Sequence, residues 1–522
     1  MGSTYSVPAR EEKGPQRKTD IGLSPPVGDK HVKKEDDSEA RMISRRHDGF
    51  RHREYSAADV PAPPYQIEER EASVSLRRLQ DWNETLLEDP KNRLAISSLA
   101  GTSYTSVLAS RSALRSDIQV FNVKVPIEGS PITNQRSSGR CWLFASTNIF
   151  RVPIMKAYGL KDFELSQAYL FYWDKIEKAN YFFETIIETA DKDISGRLVQ
   201  KLLQDPVTDG GQWDMVANLV RKYGLVPHDI YPDNFNAQNS SRMNWLLTAK
   251  LREQAFVLRR LASSAHLTER VQLGSVKEKF LKEIHSLVTI MLGPPPSPDE
   301  EFVWQYNDSD GKAKEIRQTP LEFGRQGFSP STRTKVSPSR LYSLVNDPRN
   351  EYNRLLTVDK LGNVVEGKPL TYVNVEMKVL KKAVIAMLKA GHPVFFGCDV
   401  GKFSDSVSGV MDPELVDLSL GFNVSLGMNK AERLASGETA MTHAMVITAV
   451  HLKDDEPVRW RVENSWGEAA GDKGWFIMTD KWMDEYTFQA VVDFSLVPAE
   501  IRDVLGQKPK VLPRWDPMGV LA

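Results

Sequence analysis

Apolar side chains recur with a helical period along much of the first half of the chain. Leu76, Leu79, Trp82 and Leu86 are three or four residues apart, which places them on one face of a helix. On the same grounds we predict further helices over residues 141–158, 165–178, 214–223 and 246–264. The pattern therefore indicates a mainly helical region around residues 141–264.

Short apolar runs bounded by turn residues predict strands in the last third of the chain. The predicted strands cover residues 393–396, 444–450, 460–462, 475–478 and 490–494. Residues 117–125 alternate like a further strand, and the Gly-, Pro- and Ser-containing stretch 126–138 predicts a loop. The polar, proline-punctuated stretch 299–348 predicts loops and surface hairpins. Helices and strands in separate regions indicate an α+β fold.

Composition narrows the class of protein. The chain has 522 residues, 68 Lys plus Arg against 69 Asp plus Glu, and 41% hydrophobic residues. That length is enough for about three domains, or for one large domain with insertions. A net charge of −1 argues against nucleic acid as the main partner. No apolar run reaches the roughly 18 to 20 residues of a membrane helix, so we expect no membrane association.

Residues 1–72 are rich in charge and proline and poor in large aliphatic residues, which predicts a disordered extension. Two cysteines cannot form a disulfide framework, and no secretory signal is apparent, so we expect a reducing compartment. The expected location is the cytoplasm, with a mitochondrial pool.

The first concentration of chemistry is the segment Asn134–Ala145, where a loop runs directly into a helix and Cys141 stands at the junction. A thiol at a helix N-terminus is close to the positive end of the helix dipole, which favours the thiolate. Gln135, six residues upstream, can fold back beside the Cys141 N–H and supply a second donor to an oxyanion. Without Gln135, a buried structural cysteine would be the better interpretation.

The second concentration is His443 at the head of one apolar strand and Asn464 at the end of the next. Two adjacent antiparallel strands could place them side by side. A cysteine nucleophile needs a base within hydrogen-bond reach, and that base needs an orienting partner. We therefore predict a Cys–His–Asn site. The residue types suggest no metal and no cofactor.

Four motifs in order resemble the papain-like cysteine peptidases: Gln135 to Trp142, Asp209 to Gln212, His443–Ala444 and Asn464 to Gly467. The resemblance implies a papain-like core with a helical subdomain and an antiparallel β-barrel-like subdomain. It also implies site residues: nucleophile Cys141, acid/base His443, orienter Asn464, oxyanion donor Gln135, Gly210 and Gly211 beside the substrate backbone, and Trp466 over the His–Asn contact. Ser138 stands where secreted members carry a cysteine, so one family disulfide cannot form.

His443 follows Cys141 by about 300 residues, against roughly 130 to 150 in papain and the cathepsins, which indicates a large insertion. Together with the segments 163–170 and 512–522, this resembles the bleomycin hydrolase branch. The resemblance implies a homohexameric barrel and a C-terminal arm that lies in the cleft. The terminal carboxylate, on Ala522, would block one side and restrict the enzyme to free N-termini.

The predicted organisation follows from these motifs. It comprises a disordered extension (1–72), an N-terminal part with the helical half of the core (73–232), an inserted helical and hook region (233–390), the β half with His443 and Asn464 (391–510), and the C-terminal arm (511–522).

The expected activity is that of a cysteine aminopeptidase acting on peptides, on small amides such as bleomycin and on homocysteine thiolactone. Two alternatives stay open. One is a nucleic-acid-binding or scaffold ring with secondary peptidase activity, and the other is a cysteine endopeptidase with a mobile arm.

Overall fold

The structure, a computed structural model, describes residues 73–326 and 340–521. The chain divides into two compact units, residues 1–94 and residues 95–522. The predicted disordered extension, residues 1–72, lies outside the described residues, as does Ala522. None of the described helices combines the length and the apolar character needed to cross a membrane.

The described part of the first unit contains helix α1 (Leu76–Glu88). Ser75 begins it, because its side chain accepts a hydrogen bond from the Arg78 N–H. The helix predicted from the apolar spacing is therefore confirmed, but the apolar residues that predicted it are all exposed. Helix α2 (Pro90–Leu99) continues the chain from the first unit into the second.

Helices of the second unit predominate before residue 326, and strands are more frequent after residue 340. They are α3 (Tyr104–Val107), α4 (Arg111–Ser116), α5 (Cys141–Tyr158), α6 (Gln167–Glu188), α7 (Arg197–Gln204), α8 (Trp213–Tyr223), α9 (Phe235–Gln238), α10 (Ser241–Ala262), α11 (Leu267–Leu292), α12 (Pro320–Gln326), α13 (Met377–Lys389), α14 (Leu418–Phe422), α15 (Lys430–Ser436), α16 (Asp480–Tyr486) and α17 (Ala499–Asp503).

Helix α5 is the central helix of the unit. It is buried from Cys141 through Met155, because apolar or small residues occupy every side of it. Gly159 ends it in the left-handed conformation, at φ 64°. It contacts α6 and α8 on one side and the main sheet on the other. The prediction of a helix over residues 141–158 is confirmed at both ends.

The strands form one large sheet and one hairpin. They are β1 (Val123–Lys124), β2 (Phe302–Asn307), β3 (Ala313–Gln318), β4 (Leu341–Val345), β5 (Arg354–Val358), β6 (Tyr372–Asn374), β7 (Val394–Cys398), β8 (Ser404–Asp405), β9 (Val410–Met411), β10 (His443–Lys453), β11 (Glu456–Glu463), β12 (Trp475–Thr479), β13 (Thr487–Asp493) and β14 (Lys510–Leu512).

Within the described residues the sheet order is β14-β5-β6-β4-β13-β7-β10-β11-β12-β9-β8, with β1 paired to β10, and β2 pairs only with β3. Most pairs are antiparallel, but β14–β5, β4–β6 and β12–β9 are parallel. The papain-like α+β class is thus confirmed, with a mixed rather than a purely antiparallel sheet.

The β10–β11 hairpin places the two predicted site residues of the β half together. Lys453 pairs with Glu456, and between them Asp454 and Asp455 have φ values of 52° and 61°. Two positive φ angles are typical of the tight turns whose twist matches that of paired strands. The register sets Val446 opposite Glu463, so His443 and Asn464 lie at the same end of the pair.

Two predictions about strands need correction. Only residues 123–124 of the predicted strand 117–125 join the sheet, because the Val120 carbonyl accepts from the Arg459 side chain instead of a neighbouring strand. The stretch 299–348 does contain the predicted surface hairpin, β2–β3. Its end, however, is the fully buried strand β4, which lies between β13 and β6.

The sheet also extends further back along the chain than the predicted β half, which was placed at 391–510. Strands β4, β5 and β6 and helix α13 all precede residue 391, yet the three strands pair within the main sheet and α13 packs against β13. Strands β4 and β5 pair with β13 and β14, in residues 487–512, and β6 joins the sheet between them, a pairing of distant segments that local pattern does not reveal.

Candidate active site

Cys141 is the first residue of α5 and is 2% exposed. The backbone N–H groups of Ala444, Trp142 and Cys141 itself lie close enough to its sulfur to lower the pKa of the thiol. Ala444 directly follows His443, so this contact brings the start of the helix against the start of strand β10. The structure therefore places the predicted nucleophile beside the strand that carries the predicted base.

Burial decides the charge of this thiol. Loss of solvent raises the pKa of Cys141 to about 11, although the three backbone N–H groups act in the opposite direction. The negative charge of Asp209 adds to the increase. Desolvation therefore outweighs the stabilisation of a thiolate that we expected from the helix N-terminus. The Cys141 thiol is neutral while it is buried.

His443 is 5% exposed, and its Nε2 lies 2.9 Å from Asn464 Oδ1. An amide oxygen only accepts hydrogen bonds, so Nε2 carries the proton and Nδ1 is the basic nitrogen. Burial lowers the pKa of His443 to about 4, and the hydrogen bond that Nε2 donates to Asn464 opposes that decrease. The structure thus joins His443 to Asn464 as the sequence predicted.

Trp466 lies beside this pair, with its ring centroid 5.1 Å from that of His443. Asn464 Oδ1 also accepts the backbone N–H of Ser465 at 2.8 Å, which holds the amide in place. Trp466 is therefore located where it covers the imidazole, in agreement with the position that the resemblance implied.

Gln135 lies in the loop before Cys141 and makes four hydrogen bonds, one of which its carbonyl accepts from Ser138 Oγ at 2.6 Å. Its Nε2 donates to the Ser138 carbonyl at 2.7 Å, its Oε1 accepts from Ser465 Oγ at 2.8 Å, and its backbone N–H donates to the Ser465 carbonyl at 2.9 Å. These bonds fix the loop to the segment that follows Asn464. Ser465 is a functional residue that the sequence interpretation left without a role.

Gly210 and Gly211 lie between α7 and α8, beside the start of α5. A Cβ on Gly211 would come within 2.4 Å of the Trp142 ring, so only glycine fits there. Trp142, the residue after the predicted nucleophile, therefore requires glycine at 211, independently of any contact between Gly211 and a substrate. Lys178 Nζ donates to the Gly210 carbonyl at 2.6 Å.

The described part of the C-terminal arm packs against the folded chain. Strand β14 pairs with β5, Asp516 forms an ion pair with Arg349 at 2.8 Å, and Met518 is buried. The Val520 carbonyl accepts from Gln212 Nε2 at 3.0 Å, directly beside Gly211. Ala522, the predicted terminal contact, lies outside the described residues.

Sequence reasoning named Asp209 only as part of a motif, yet it is the most connected carboxylate near the site. It also gave no role to Glu463, whose Oε1 binds Asn148 and Arg151 of α5 at 2.9 and 2.5 Å. No local signal singled out Glu463, because β11 also carries Glu456, Arg459 and Arg461. Among residues 73–326 and 340–521, no group of three or more His, Cys, Asp or Glu side chains is arranged to hold a metal.

Comparison with known proteins places this site in a family. The model of the Peptidase C1-like family matches residues 73–519. "Cysteine proteinase 1, mitochondrial" of Saccharomyces cerevisiae is 42% identical over 470 residues, 88% of this chain and 95% of its own. Human bleomycin hydrolase is 46% identical over 414 residues, 77% of this chain and 89% of its own.

A solved structure gives the same answer. The crystal structure of PepW from Lactobacillus rhamnosis superposes with a TM-score of 0.82 at 37% identity, covering 87% of this chain and all of that one. The resemblance to bleomycin hydrolase and the papain-like fold are both confirmed. The chain belongs to the Peptidase C1-like family of papain-like cysteine peptidases.

Proposed function

We propose that the protein is a cysteine aminopeptidase of the bleomycin hydrolase type, with Cys141 as nucleophile, His443 as acid and base, and Asn464 as the orienting residue. The contact that carries this proposal is the hydrogen bond from His443 Nε2 to Asn464 Oδ1. His443 lies at the start of β10, where the N–H of Ala444 is close to the Cys141 sulfur. It leaves Nδ1 of His443 as the nitrogen that can take the thiol proton.

The reaction starts from a neutral pair. His443 Nδ1 accepts the proton of Cys141 as the sulfur attacks the first peptide carbonyl, so that a C–S bond forms and the carbonyl oxygen becomes negative. The imidazolium then gives its proton to the leaving amine as the C–N bond breaks. Water, deprotonated by His443, releases the acyl group as the free acid and restores the thiol.

The negative oxygen needs donors that are already in place. Gln135 Nε2 has two hydrogens, and the bond to the Ser138 carbonyl uses one of them. We assign the other hydrogen, together with the Cys141 N–H, to the oxyanion. Gly210 and Gly211 would pair with the substrate backbone and Trp466 would shield the imidazole.

The arm supports selectivity for a free N-terminus. The Val520 carbonyl is held by Gln212 beside Gly211, which brings the chain end to one side of the predicted substrate path. We propose that the carboxylate of Ala522 lies just beyond the first substrate residue. It would attract an α-ammonium group and obstruct an acylated or longer N-terminus.

Hydrolysis of an aminoacyl fluorogenic amide and of its N-acetylated twin tests this proposal. It should be measured with the full chain and with a chain ending at Pro517, which keeps β14 and the Asp516–Arg349 ion pair. We expect the full chain to cleave only the free-amino substrate and the shortened chain to cleave both. Equal cleavage of both by the full chain would favour the endopeptidase.

Cleavage of neither substrate would favour the nucleic-acid-binding or scaffold ring. That alternative requires DNA affinity that falls steeply with salt. We also propose peptides, bleomycin-like amides and homocysteine thiolactone as substrates, because each presents an acyl carbon to the same thiol. The proposed location is the cytoplasm with a mitochondrial pool, and the yeast relative is named as mitochondrial.

A further inference from the structure

The carboxylate of Asp209 accepts four hydrogen bonds from three separate segments. Oδ1 accepts from Lys175 Nζ at 2.6 Å and from Asn244 Nδ2 at 2.7 Å. Oδ2 accepts from the Gly139 N–H at 3.0 Å and from the Ser240 hydroxyl. One side chain therefore joins the loop before Cys141 to helix α6 and to the start of α10.

The backbone around Asp209 is fixed in the same place. Trp142 Nε1 donates to the Asp209 carbonyl at 2.6 Å. Lys178 Nζ donates to the carbonyls of Thr208 and Gly210 at 3.0 and 2.6 Å. Lys178 of α6 thus holds the backbone carbonyls on either side of Asp209. The carbonyl of Asp209 itself is held by Trp142, the residue after Cys141.

The fit between Gly139 and Asp209 has no spare room. A Cβ on Gly139 would lie 2.9 Å from the Asp209 Cβ, so the close approach needs glycine. Cys141 and Cys398 are both free thiols, so no disulfide ties this loop to the rest of the chain. The hydrogen bonds at Asp209 provide one such tie, beside the bonds between Gln135 and Ser465 and the Arg140–Asp233 ion pair at 2.7 Å.

The carboxylate stays ionised although it is buried. Burial by itself would raise the pKa of Asp209, but the charge and hydrogen bond of Lys175, with the bonds from Ser240 and Gly139, outweigh burial. The pKa therefore lies below its usual range. Lys175 has no exposed side-chain surface and pairs with Asp209 at 2.6 Å, so the buried charges balance each other.

We propose that Asp209 is a positioning residue that sets the distance between the oxyanion-binding loop at Gly139–Cys141 and the Gly210–Gly211 backbone. The proposal rests on the proposed function, because it takes Cys141 as the nucleophile. Its effect is geometric, since the negative charge of Asp209 by itself raises the pKa of Cys141 and so opposes formation of the thiolate.

Paired substitutions test this role without leaving a buried charge unpaired. The main variant is Asp209→Ala with Lys175→Met. A milder variant is Asp209→Asn with Lys175→Met, in which the single amide oxygen of the asparagine cannot accept from all three remaining donors. The matched control is Asp480→Asn with Lys381→Met, which removes another Lys–Asp pair, at 2.7 Å, between α13 and α16.

Three measurements on the full chain distinguish misplaced oxyanion donors from loss of the folded structure. They are kcat on the free-amino aminoacyl amide, inhibition by a peptide aldehyde with a free α-amino group, and alkylation of Cys141 by iodoacetamide. When the Cys141 sulfur adds to the aldehyde, a C–S bond forms and the aldehyde oxygen becomes negative, so it needs the oxyanion donors. Alkylation displaces iodide, forms no oxyanion and needs none of these donors. Loss of an oxyanion donor costs about 10²-fold or more in kcat.

For the alanine variant we expect kcat and aldehyde affinity to fall about 10²-fold while alkylation above the thiol pKa stays within threefold. The asparagine variant should lose roughly tenfold, and the control less than twofold. Unchanged kcat in the alanine variant overturns the proposal, as does an equal loss in the control. If the alanine variant does not fold, unchanged kcat in the asparagine variant overturns it.

The two proposals fail in different ways. If alkylation of wild-type Cys141 leaves turnover intact, the proposed function fails. If alkylation abolishes turnover but the Asp209 variants turn over normally, only the positioning role fails.

Discussion

Cys141 and His443 are both buried, and burial disfavours the charged form of each side chain. The thiol and the imidazole are therefore neutral at neutral pH, and charge separates only when substrate engages the oxyanion donors. A serine at 141 would need a far stronger base than His443, because a hydroxyl releases its proton much less readily than a thiol.

We expect Cys141→Ser to lower kcat by at least about 10³-fold without loss of folded structure. The measurement is turnover of the aminoacyl amide together with circular dichroism. Cys398→Ala is the matched control, since Cys398 is the other cysteine and is buried in β7. It should retain turnover within about threefold. Normal turnover of the serine variant would exclude Cys141 as nucleophile.

Gly211→Ala adds one methyl group against the Trp142 ring at 2.4 Å. The ring cannot move without shifting the residue next to Cys141, so we expect a stability loss of about 1 to 3 kcal/mol and reduced turnover. Urea unfolding measures the first effect. Gly274→Ala in α11 has no atom within 4 Å and should instead stabilise by about 0.5 to 1 kcal/mol.

At the scale of elements, α5 and β11 are joined by a buried acid. Glu463 ends β11, is 1% exposed, and binds Asn148 and Arg151, two residues of α5. Because Asn464 follows Glu463 and Cys141 begins α5, this contact sets the helix that carries the thiol against the strand that carries the orienting amide.

The pKa of Glu463 predicts the direction in which the free energy of unfolding changes with pH. Burial raises its pKa to about 7, against the opposing charge of Arg151. Between pH 4.5 and 7 the folded chain then holds a proton that the unfolded chain has released, so this carboxyl lowers stability as pH rises. The full effect is roughly 3 kcal/mol, from the size of the shift.

Glu463→Gln removes this dependence. We expect the free energy of unfolding of the variant, relative to the parent, to improve by roughly 3 kcal/mol between pH 4.5 and pH 8. Urea unfolding at the two pH values measures it. The attraction between ionised Glu463 and Arg151 is already included in this pKa, so its loss in the variant needs no separate correction. A difference that does not change with pH would contradict the assignment.

At the scale of the whole molecule, large apolar side chains are exposed along α14 and the segment that connects it to α15. Leu420 is 57% and Leu426 67% exposed, and Phe422 and Val424 are exposed as well. Contiguous exposed apolar surface typically marks an interface. We propose that this segment contributes to contacts between copies in a homohexamer.

Light scattering should give a mass about six times the 58.9 kDa of one chain. We expect Phe422→Ser with Leu426→Ser to lower that mass, because polar side chains there weaken an apolar contact. Ile290→Ser, a single exposed apolar residue on α11, is the control and should not change it. A monomer mass for the parent chain would exclude the hexamer.

Local pattern was sufficient where an element's own residues specify it. Helix α5 was predicted at both ends, since a continuous apolar stretch follows a Gly-containing loop and Gly159 follows its last residue. The β10–β11 hairpin was predicted because charged turn residues separate two apolar runs. The His–Asn pairing followed from that hairpin and from the family resemblance.

Contacts between segments that are distant along the chain could not be predicted from the sequence. Strand β4 was assigned to a surface region because its short run stands among prolines, and only its partners β13 and β6 show that it is buried. Likewise the four donors of Asp209 come from residues 30 or more positions away, so nothing in its neighbourhood predicts them.

The sequence by itself determined the α+β class, the family and the residues of the proposed Cys–His–Asn site, because motifs and periodicity are properties of neighbouring residues. Tertiary structure alone decided the neutral charge state of Cys141 and His443, the buried ties at Asp209 and Glu463, and the docking of the arm beside Gly211. Each of these depends on burial or on contact between distant segments, and both arise only when the chain has folded.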